Sequence, residues 1–206
     1  MIRELGDIVF RKVCAFAKES RLWDYGVEYI EVNISGIQSV DERLSEQLKE
    51  CMDEYGIPPK FLNLEITETA SIDAGDMLMK NIKKLKALGC GFSMDDFGTG
   101  YSNLSQMAET NFDLIKLDKS LIWPAFEEGN KKARVILYSC IEMINLLDMH
   151  IVAEGIETEQ QAKALGSVGV EYLQGYYFSK PLTEEAYLKY LRDAGQYAPD
   201  SGSLES

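Results

Sequence analysis

The sequence predicts an α/β chain of strand–helix units building a parallel sheet, on three observations. Six short apolar runs alternate with segments of helical period, the pattern of repeated strand–helix units. Each apolar run ends on a carboxylate, an amide or a lysine just before a loop. At 206 residues, with 46% hydrophobic and 27% charged residues, the chain has the composition of one globular domain with a sizeable core. In a parallel sheet the C-terminal strand ends gather on one face, where barrel enzymes build their sites. That face is expected to carry an oxygen-rich, mostly acidic cluster with one lysine in it, as suits a metal-dependent hydrolase.

Residues 2–20 place Leu5, Ile8, Val9, Val13, Phe16 and Ala17 at helical spacing, predicting an amphipathic helix. The first strand covers about 28–35, where Tyr29-Ile30-Glu31-Val32 runs into Asn33. A helix capped by Asp41 carries Leu44, Leu48, Cys51 and Met52 and stops near Gly56-Ile57-Pro58-Pro59. In the second strand, about 61–67, Phe61-Leu62-Asn63-Leu64 runs into Glu65 and Glu68. A helix through Met77, Ile82, Leu85 and Leu88 ends at Gly89, a residue type that suits a helix C-terminus. The third strand, Gly91-Phe92-Ser93-Met94, leads into Asp95-Asp96-Phe97-Gly98-Thr99-Gly100-Tyr101-Ser102.

A fourth strand lies near 113–118, with Leu114-Ile115 running into Lys116 and Asp118. A long helix over about 130–148 is rich in Val135, Ile136, Ile141, Ile144 and Leu147. The fifth strand, 150–154, runs Ile151-Val152-Ala153 into Glu154 and Glu157. Thr158 is placed to cap the next helix, with Gln160 and Gln161 in its first turn. The sixth strand, about 171–176, takes Tyr172-Leu173 into Gln174, and Pro181-Leu182-Thr183 starts a final helix through Tyr187, Leu188 and Leu191. A single domain over 1–195 is expected, with 196–206 a flexible tail of small and polar residues. Six parallel strands do not close an eight-stranded barrel, so either the sheet is open or two strands are missing from this chain.

Composition excludes several classes. A net charge of −13 argues against a bare DNA, RNA or anionic-membrane surface, which relies on lysine and arginine. An acidic protein still binds phosphate if a divalent cation stands between them. Cys14, Cys51, Cys90 and Cys140 are spread singly, fitting neither a zinc site nor a disulfide scaffold, and read as reduced core cysteines. The single histidine, His150, opens an apolar strand run and reads as structural. No run approaches the ~18 apolar residues of a membrane helix, and no signal peptide opens the chain, so a cytosolic location is expected.

The most specific local signal is Asp95-Asp96-Phe97-Gly98-Thr99-Gly100. Adjacent carboxylates at a strand end repel, and a cation offsets that cost. Hard oxygen ligands select Mg²⁺, Mn²⁺ or Ca²⁺, and neighbouring aspartates can serve two metals about 3.5–4 Å apart. A simple turn is the competing account of this segment. Lys116, near the end of an otherwise apolar strand, needs a counter-charge, which an acidic metal site or a structural salt bridge supplies. Glu65 with Glu68, and Glu154 with Glu157, admit the same two readings; the agreement of six strand ends favours a site.

Asn33, Leu64-Glu65-Ile66-Thr67-Glu68, Asp95 to Ser102, Lys116-Leu117-Asp118, Ala153-Glu154-Gly155-Ile156-Glu157 and Gln174-Gly175-Tyr176 stand in the order and spacing of the EAL domain, which this chain resembles over residues 1 to 192. The resemblance implies a modified TIM-like (β/α)8 barrel that hydrolyses the bacterial second messenger cyclic di-GMP to pGpG with two Mg²⁺ or Mn²⁺ ions. It implies that Asn33, Glu65 and Asp95 hold one ion and Asp95 and Asp96 the second, with Glu154 completing the surroundings of the second or activating water. Lys116 would hold the attacking water and help neutralise the transition state, and Glu68 would brace the loop after Asp96. Gln174 would sit at the substrate pocket, with Asp118, Tyr176 and Pro181 also contacting substrate.

The family pattern begins about fifty residues earlier, with one strand and then a second carrying Glu-x-Leu-x-Arg. That motif is absent from these 206 residues. In the family its glutamate is a metal ligand and its arginine contacts a substrate phosphate. The chain is therefore expected to be a catalytic-domain fragment lacking the barrel's first two strands and impaired in activity, its parent carrying the missing segment and a sensory domain. Two alternatives stay open: a receptor that binds cyclic di-GMP without cutting it, and an interaction module working through the open sheet edge. Homodimerisation is a further expectation by analogy.

Overall fold

The computed structural model describes residues 2–73, 75–99, 107, 110 and 112–195. The Gly100-Tyr101-Ser102 end of the glycine-rich motif and the 196–206 tail lie outside the described residues. Six strands, β1 (Ile30–Asn33), β2 (Leu62–Thr67), β3 (Gly91–Phe97), β4 (Leu114–Leu117), β5 (His150–Ala153) and β6 (Tyr172–Leu173), form one parallel sheet in sequence order. The described residues include the helices α1 (Ile2–Ser20), α2 (Gly36–Ser39), α3 (Leu44–Tyr55), α4 (Glu68–Asp73), α5 (Gly75–Leu88), α6 (Lys119–Phe126), α7 (Lys131–Leu146), α8 (Glu159–Gly166) and α9 (Glu184–Gly195). Short 3₁₀ turns at Leu22–Tyr25 and Pro59–Phe61 lead into β1 and β2.

The sheet is curled into part of a barrel. Adjacent strands lie about 4.8 Å apart, so on a flat sheet β1 and β4 would be about 14 Å from each other. Yet Glu31 of β1 approaches Lys116 of β4 to 3.7 Å. The edge strands β1 and β6 also curl toward each other, and the rings of Tyr29 and Tyr172 meet edge to face across the gap, centroids 6.4 Å apart. The described strands thus form an open, six-stranded half-barrel, with β1 and β6 as its edges.

The convex face carries the apolar core. Phe92, Ile115, Leu117, Ile151 and Ala153 are all nearly or fully buried, packed with Leu85 of α5, Ile122 of α6, Leu137, Ile141 and Ile144 of α7, and Leu165 of α8. Helix α5 ends as expected at Gly89 (φ 104°): the Gly89 N–H donates to Lys86 O and the Cys90 N–H to Leu85 O, the paired bonds that a left-handed residue permits. Thr158 caps α8, its side chain accepting from the Gln161 N–H while Gln161 reaches back.

Three details differ from the sequence reading. The buried stripe of α1 is Phe10, Cys14 and Ala17, an i, i+4, i+7 set, whereas Leu5, Ile8 and Val9 are exposed. On α7 it is Leu137, Ile141 and Ile144 that face the sheet, and Val135, Ile136 and Leu147 stand outward. Asp41 does not cap α3: its carboxylate accepts from the Arg43 N–H in a turn that precedes the helix.

Gly175 is where the segment after β6 crosses that after β5. The Ile156 N–H donates to Gln174 O (3.0 Å) and the Tyr177 N–H to Ile156 O (2.9 Å). A Cβ at Gly175 would lie 2.1 Å from Ile156 O and 2.3 Å from its N, both backbone atoms that cannot turn aside. Gly175→Ala is expected to cost about 1–3 kcal/mol in chemical unfolding, as overpacked sites do. Gly166→Ala, whose added Cβ meets nothing within 4 Å, is expected to leave stability unchanged or raise it by up to about 1 kcal/mol.

Candidate active site

The site is built on the concave face by strand alternation. Asn63 and Glu65 on β2, Ser93 and Asp95 on β3, and Lys116 on β4 point inward, because the residues between them are buried against the helices. Ser93 Oγ donates to Asn63 Oδ1 at 2.7 Å, forming a polar floor. Above it, Lys116 is 4% exposed. Its ammonium donates to Glu65 Oε1 and stands 2.8 Å from Glu154 Oε1, 3.7 Å from Asp95 Oδ1 and 3.7 Å from Glu31 Oε2.

At β3 the register shifts between Met94 and Phe97, a bulge at Asp95-Asp96. Asp96 takes φ 59°, a left-handed conformation uncommon outside glycine and asparagine or aspartate. Strict alternation would turn adjacent residues to opposite faces; here Asp95 and Asp96 are both half-buried. Asp96 is pushed above the usual carboxylate range by burial, and by the charges of Asp95, Asp118 and Glu68. Beyond the bulge, the Gly98 N–H donates to Glu68 Oε2 at 3.3 Å, tying the loop to the start of α4. Asp118 caps α6, its carboxylate accepting from the Ser120 N–H.

The electrostatics follow from one ammonium facing four carboxylates. Burial works against the Lys116 charge, but its hydrogen bonds to Glu154 and Glu65 and the surrounding negative charges raise it above the ordinary lysine value. Burial pushes Glu65 up to about 7, with the Lys116 hydrogen bond holding it partly down. Burial likewise raises Glu31 and Glu154, opposed by Lys116. Four acids thus face one base, and burial makes Glu31, Glu65 and Glu154 costly to ionise without further positive charge. Asp95 Oδ1, Glu31 Oε1 and Glu68 Oε1 are buried without a hydrogen-bond partner. Among the described residues no three acidic, histidine or cysteine side chains already form a closed coordination set, because Lys116 stands among them. Hard oxygen donors, an orphaned Asp95 oxygen and four acids to one base nonetheless fit divalent cations of the Mg²⁺ or Mn²⁺ kind.

The remaining expected residues divide. Asn33, at the exposed end of β1, stands in register with Glu65. A cavity of about 290 Å³ lies beside Glu154, lined in part by Asp118, Lys119, Trp123, Gln174 and Tyr176. Trp123 Nε1 donates to Gly155 O at 2.8 Å, and Lys119 Nζ lies 5.4 Å from the Trp123 ring centre. Pro181 is exposed and is not among the residues lining that cavity. His150 is at the other end of the strands, paired with Glu171 at 3.0 Å. Sequence reasoning missed Glu31, hidden in an apparently apolar run, although its two-residue spacing from Asn33 was a usable signal. It missed Lys119 and Trp123 because α6 was not foreseen.

The comparisons with known proteins converge. The EAL domain model matches residues 1–181. The cyclic di-GMP phosphodiesterase NbdA of Pseudomonas aeruginosa is 34% identical over 194 residues, covering 93% of this chain and 24% of that protein. The crystal structure of the EAL domain of Mycobacterium smegmatis DcpA superposes with a TM-score of 0.84 at 31% identity, over 94% of this chain and 86% of that one. Klebsiella pneumoniae BlrP1, in a manganese and cyclic di-GMP complex, gives a TM-score of 0.78 at 28% identity, over 88% of this chain and 45% of that one. The chain spans only about a quarter of the length of curated relatives it matches, 25%, 24% and 21% in three of them. With the EAL domain model matching residues 1–181 and a relative 34% identical matching 93% of its length, the chain belongs to the EAL domain family.

Proposed function

We propose that this chain carries the site of a cyclic di-GMP phosphodiesterase domain, hydrolysing the cyclic dinucleotide to pGpG. The observation that carries this is Lys116, buried and charged, among Glu65, Asp95 and Glu154 at the C-terminal strand ends. Asn33, Glu65, Asp95, Asp96 and Glu154 would hold two divalent cations. Bound there, such cations neutralise charge on attacking and leaving oxygens and make water more acidic.

In the proposed reaction a P–O bond forms from water, the bond to the ribose 3′ oxygen breaks, and that oxygen ends protonated. Lys116 hydrogen-bonds the attacking water and offsets negative charge growing on the phosphoryl oxygens. Glu154 receives the water's proton, a role supported by its position next to both Lys116 and the 290 Å³ cavity. Glu68 keeps the loop after Asp96 in position through the Gly98 N–H. Asp118, Gln174 and Tyr176, which line that cavity, contact the dinucleotide. A cytosolic setting and pairing of two copies belong to the same proposal; Cys14, Cys51, Cys90 and Cys140 are free, and no described helix is long and apolar enough to cross a membrane.

A receptor that binds cyclic di-GMP without cutting it is the alternative that the same site chemistry leaves open. Chromatography of cyclic di-GMP incubated with the chain and Mg²⁺ or Mn²⁺ separates the two. Formation of pGpG, lowered at least about a hundredfold by Asp95→Asn, is expected. Binding of the nucleotide with no pGpG would establish the receptor instead.

The carboxylate shifts give a pH dependence. Glu65 is raised from 4.5 to about 7 in the folded chain, and Glu31, Glu154 and Asp96 move the same way. The folded state thus holds protons that the unfolded chain releases, so the stability gained is full below the unfolded values and lost as pH rises through about 7. With a chelator present, the melting temperature is expected to fall between about pH 5 and pH 8, less steeply in Glu65→Gln. A flat profile would contradict this.

A further inference from the structure

Helix α6 opens directly behind β4, with Asp118 as its cap. Its Ile122 and Ala125 are buried inward, whereas Lys119 and Trp123 are exposed and stand four residues apart on one helical face. That face meets the segment after β5 at Gly155, so this part of the molecule is built by the interior strands β4 and β5. A Cβ at Gly155 would lie 2.6 Å from Lys119 Cβ and 3.4 Å from Trp123 Nε1; the glycine lets both side chains settle against its backbone. The indole nitrogen donates to Gly155 O at 2.8 Å, and the Lys119 ammonium lies 5.4 Å from the ring centre. The ring is thus fixed and its polar atom satisfied, yet 39% of the residue stays exposed.

Trp123 forms part of the wall of the 290 Å³ cavity beside Glu154. Pockets for a whole small molecule run about 300–1,000 Å³, so this one suits a single base of a dinucleotide rather than all of it. An aromatic ring fixed in advance at such a wall suits a flat heterocycle, because stacking needs only overlap of faces. The acids in the same wall choose among the bases. Asp118 and Glu157 line the cavity with Trp123. A carboxylate accepts from the N1–H and amino group of guanine, and it repels the unprotonated N1 of adenine.

We propose that Trp123 is the wall on which one guanine of the cyclic dinucleotide stacks, its ring held in place by Gly155 O. This rests on cyclic di-GMP being the ligand of the proposed phosphodiesterase site, and the test separates the two. Trp23 and Trp123 are the two tryptophans of the chain, and Trp23 lies against Phe61. In the full chain carrying Trp23→Phe, indole emission therefore reports on Trp123 alone. Cyclic di-GMP is titrated into that chain in Ca²⁺, followed by emission and by calorimetry, and calorimetry is repeated on Trp123→Phe and Trp123→Leu. Binding is expected to quench the Trp123 emission. Trp123→Leu is expected to bind about tenfold more weakly or worse, and Trp123→Phe to lose less, since it keeps a ring while giving up the bond to Gly155 O. The emission reading leaves Trp123 in place, so it decides even where a variant fails to fold. Calorimetric binding with unchanged emission, or full affinity in Trp123→Leu, would overturn the stacking role and leave the dinucleotide site standing. Equal losses in the Phe and Leu variants would make Trp123 a clamp on the loop after β5 and overturn stacking as well. A wild type that binds no cyclic di-GMP would overturn both proposals.

Discussion

An ammonium ion taken out of water costs several kcal/mol even after the protein relaxes, and is kept only where close, well-aligned partners repay it. Lys116 is 4% exposed, and its partners come from β1, β2, β3 and the residue that follows β5. Carboxylates on three strands and one just past a fourth meet one lysine because the sheet is curled, so the half-barrel and the buried charge depend on each other. The same curvature carries the polar groups to the inside of the curve and leaves the core to the convex side, where helices cover it. The lysine stabilises its cluster only in part. Four acids to one base stay costly to ionise without further positive charge, and cations are the natural complement.

The Asp95-Asp96 bulge shows what such a site demands of the backbone. A regular strand sends neighbouring side chains to opposite faces; the extra residue and the left-handed Asp96 break that rule where two carboxylates adjoin. A non-glycine residue with positive φ carries backbone strain of order 1–3 kcal/mol, which persists when the surroundings over-determine it. Here they do: the Asp118 N–H donates to Phe97 O, the Thr99 N–H to Asp96 O, and Gly98 is held by Glu68.

Much of this was legible in the residues. Short apolar runs ending on Asn33, Glu65, Asp95, Lys116, Glu154 and Gln174 gave the strands, their parallel order and the end at which polar groups gather. Gly89 and Thr158 marked helix ends because their chemistry is local. What escaped has a physical reason in each case. Helix α6 holds Pro124, and α2 and α4 run only four and six residues, so none presents a sustained 3.6-residue period. Helix α1 offered two overlapping apolar stripes, and only tertiary packing selects Phe10, Cys14 and Ala17. Glu31 escaped because one charged residue inside an apolar run shows no direction until the pleat is fixed.

If buried Lys116 balances a carboxylate cluster that divalent cations complete, removing its charge changes stability in a fixed direction. Unfolding of Lys116→Met against the wild type, with and without Mn²⁺, tests it most directly. Removing the ammonium leaves the acids unpaired, so the metal-free variant should lose about 3–5 kcal/mol, and Mn²⁺ should restore more stability to it than to the wild type. A Lys116→Met chain as stable as the wild type and indifferent to Mn²⁺ would contradict the claim.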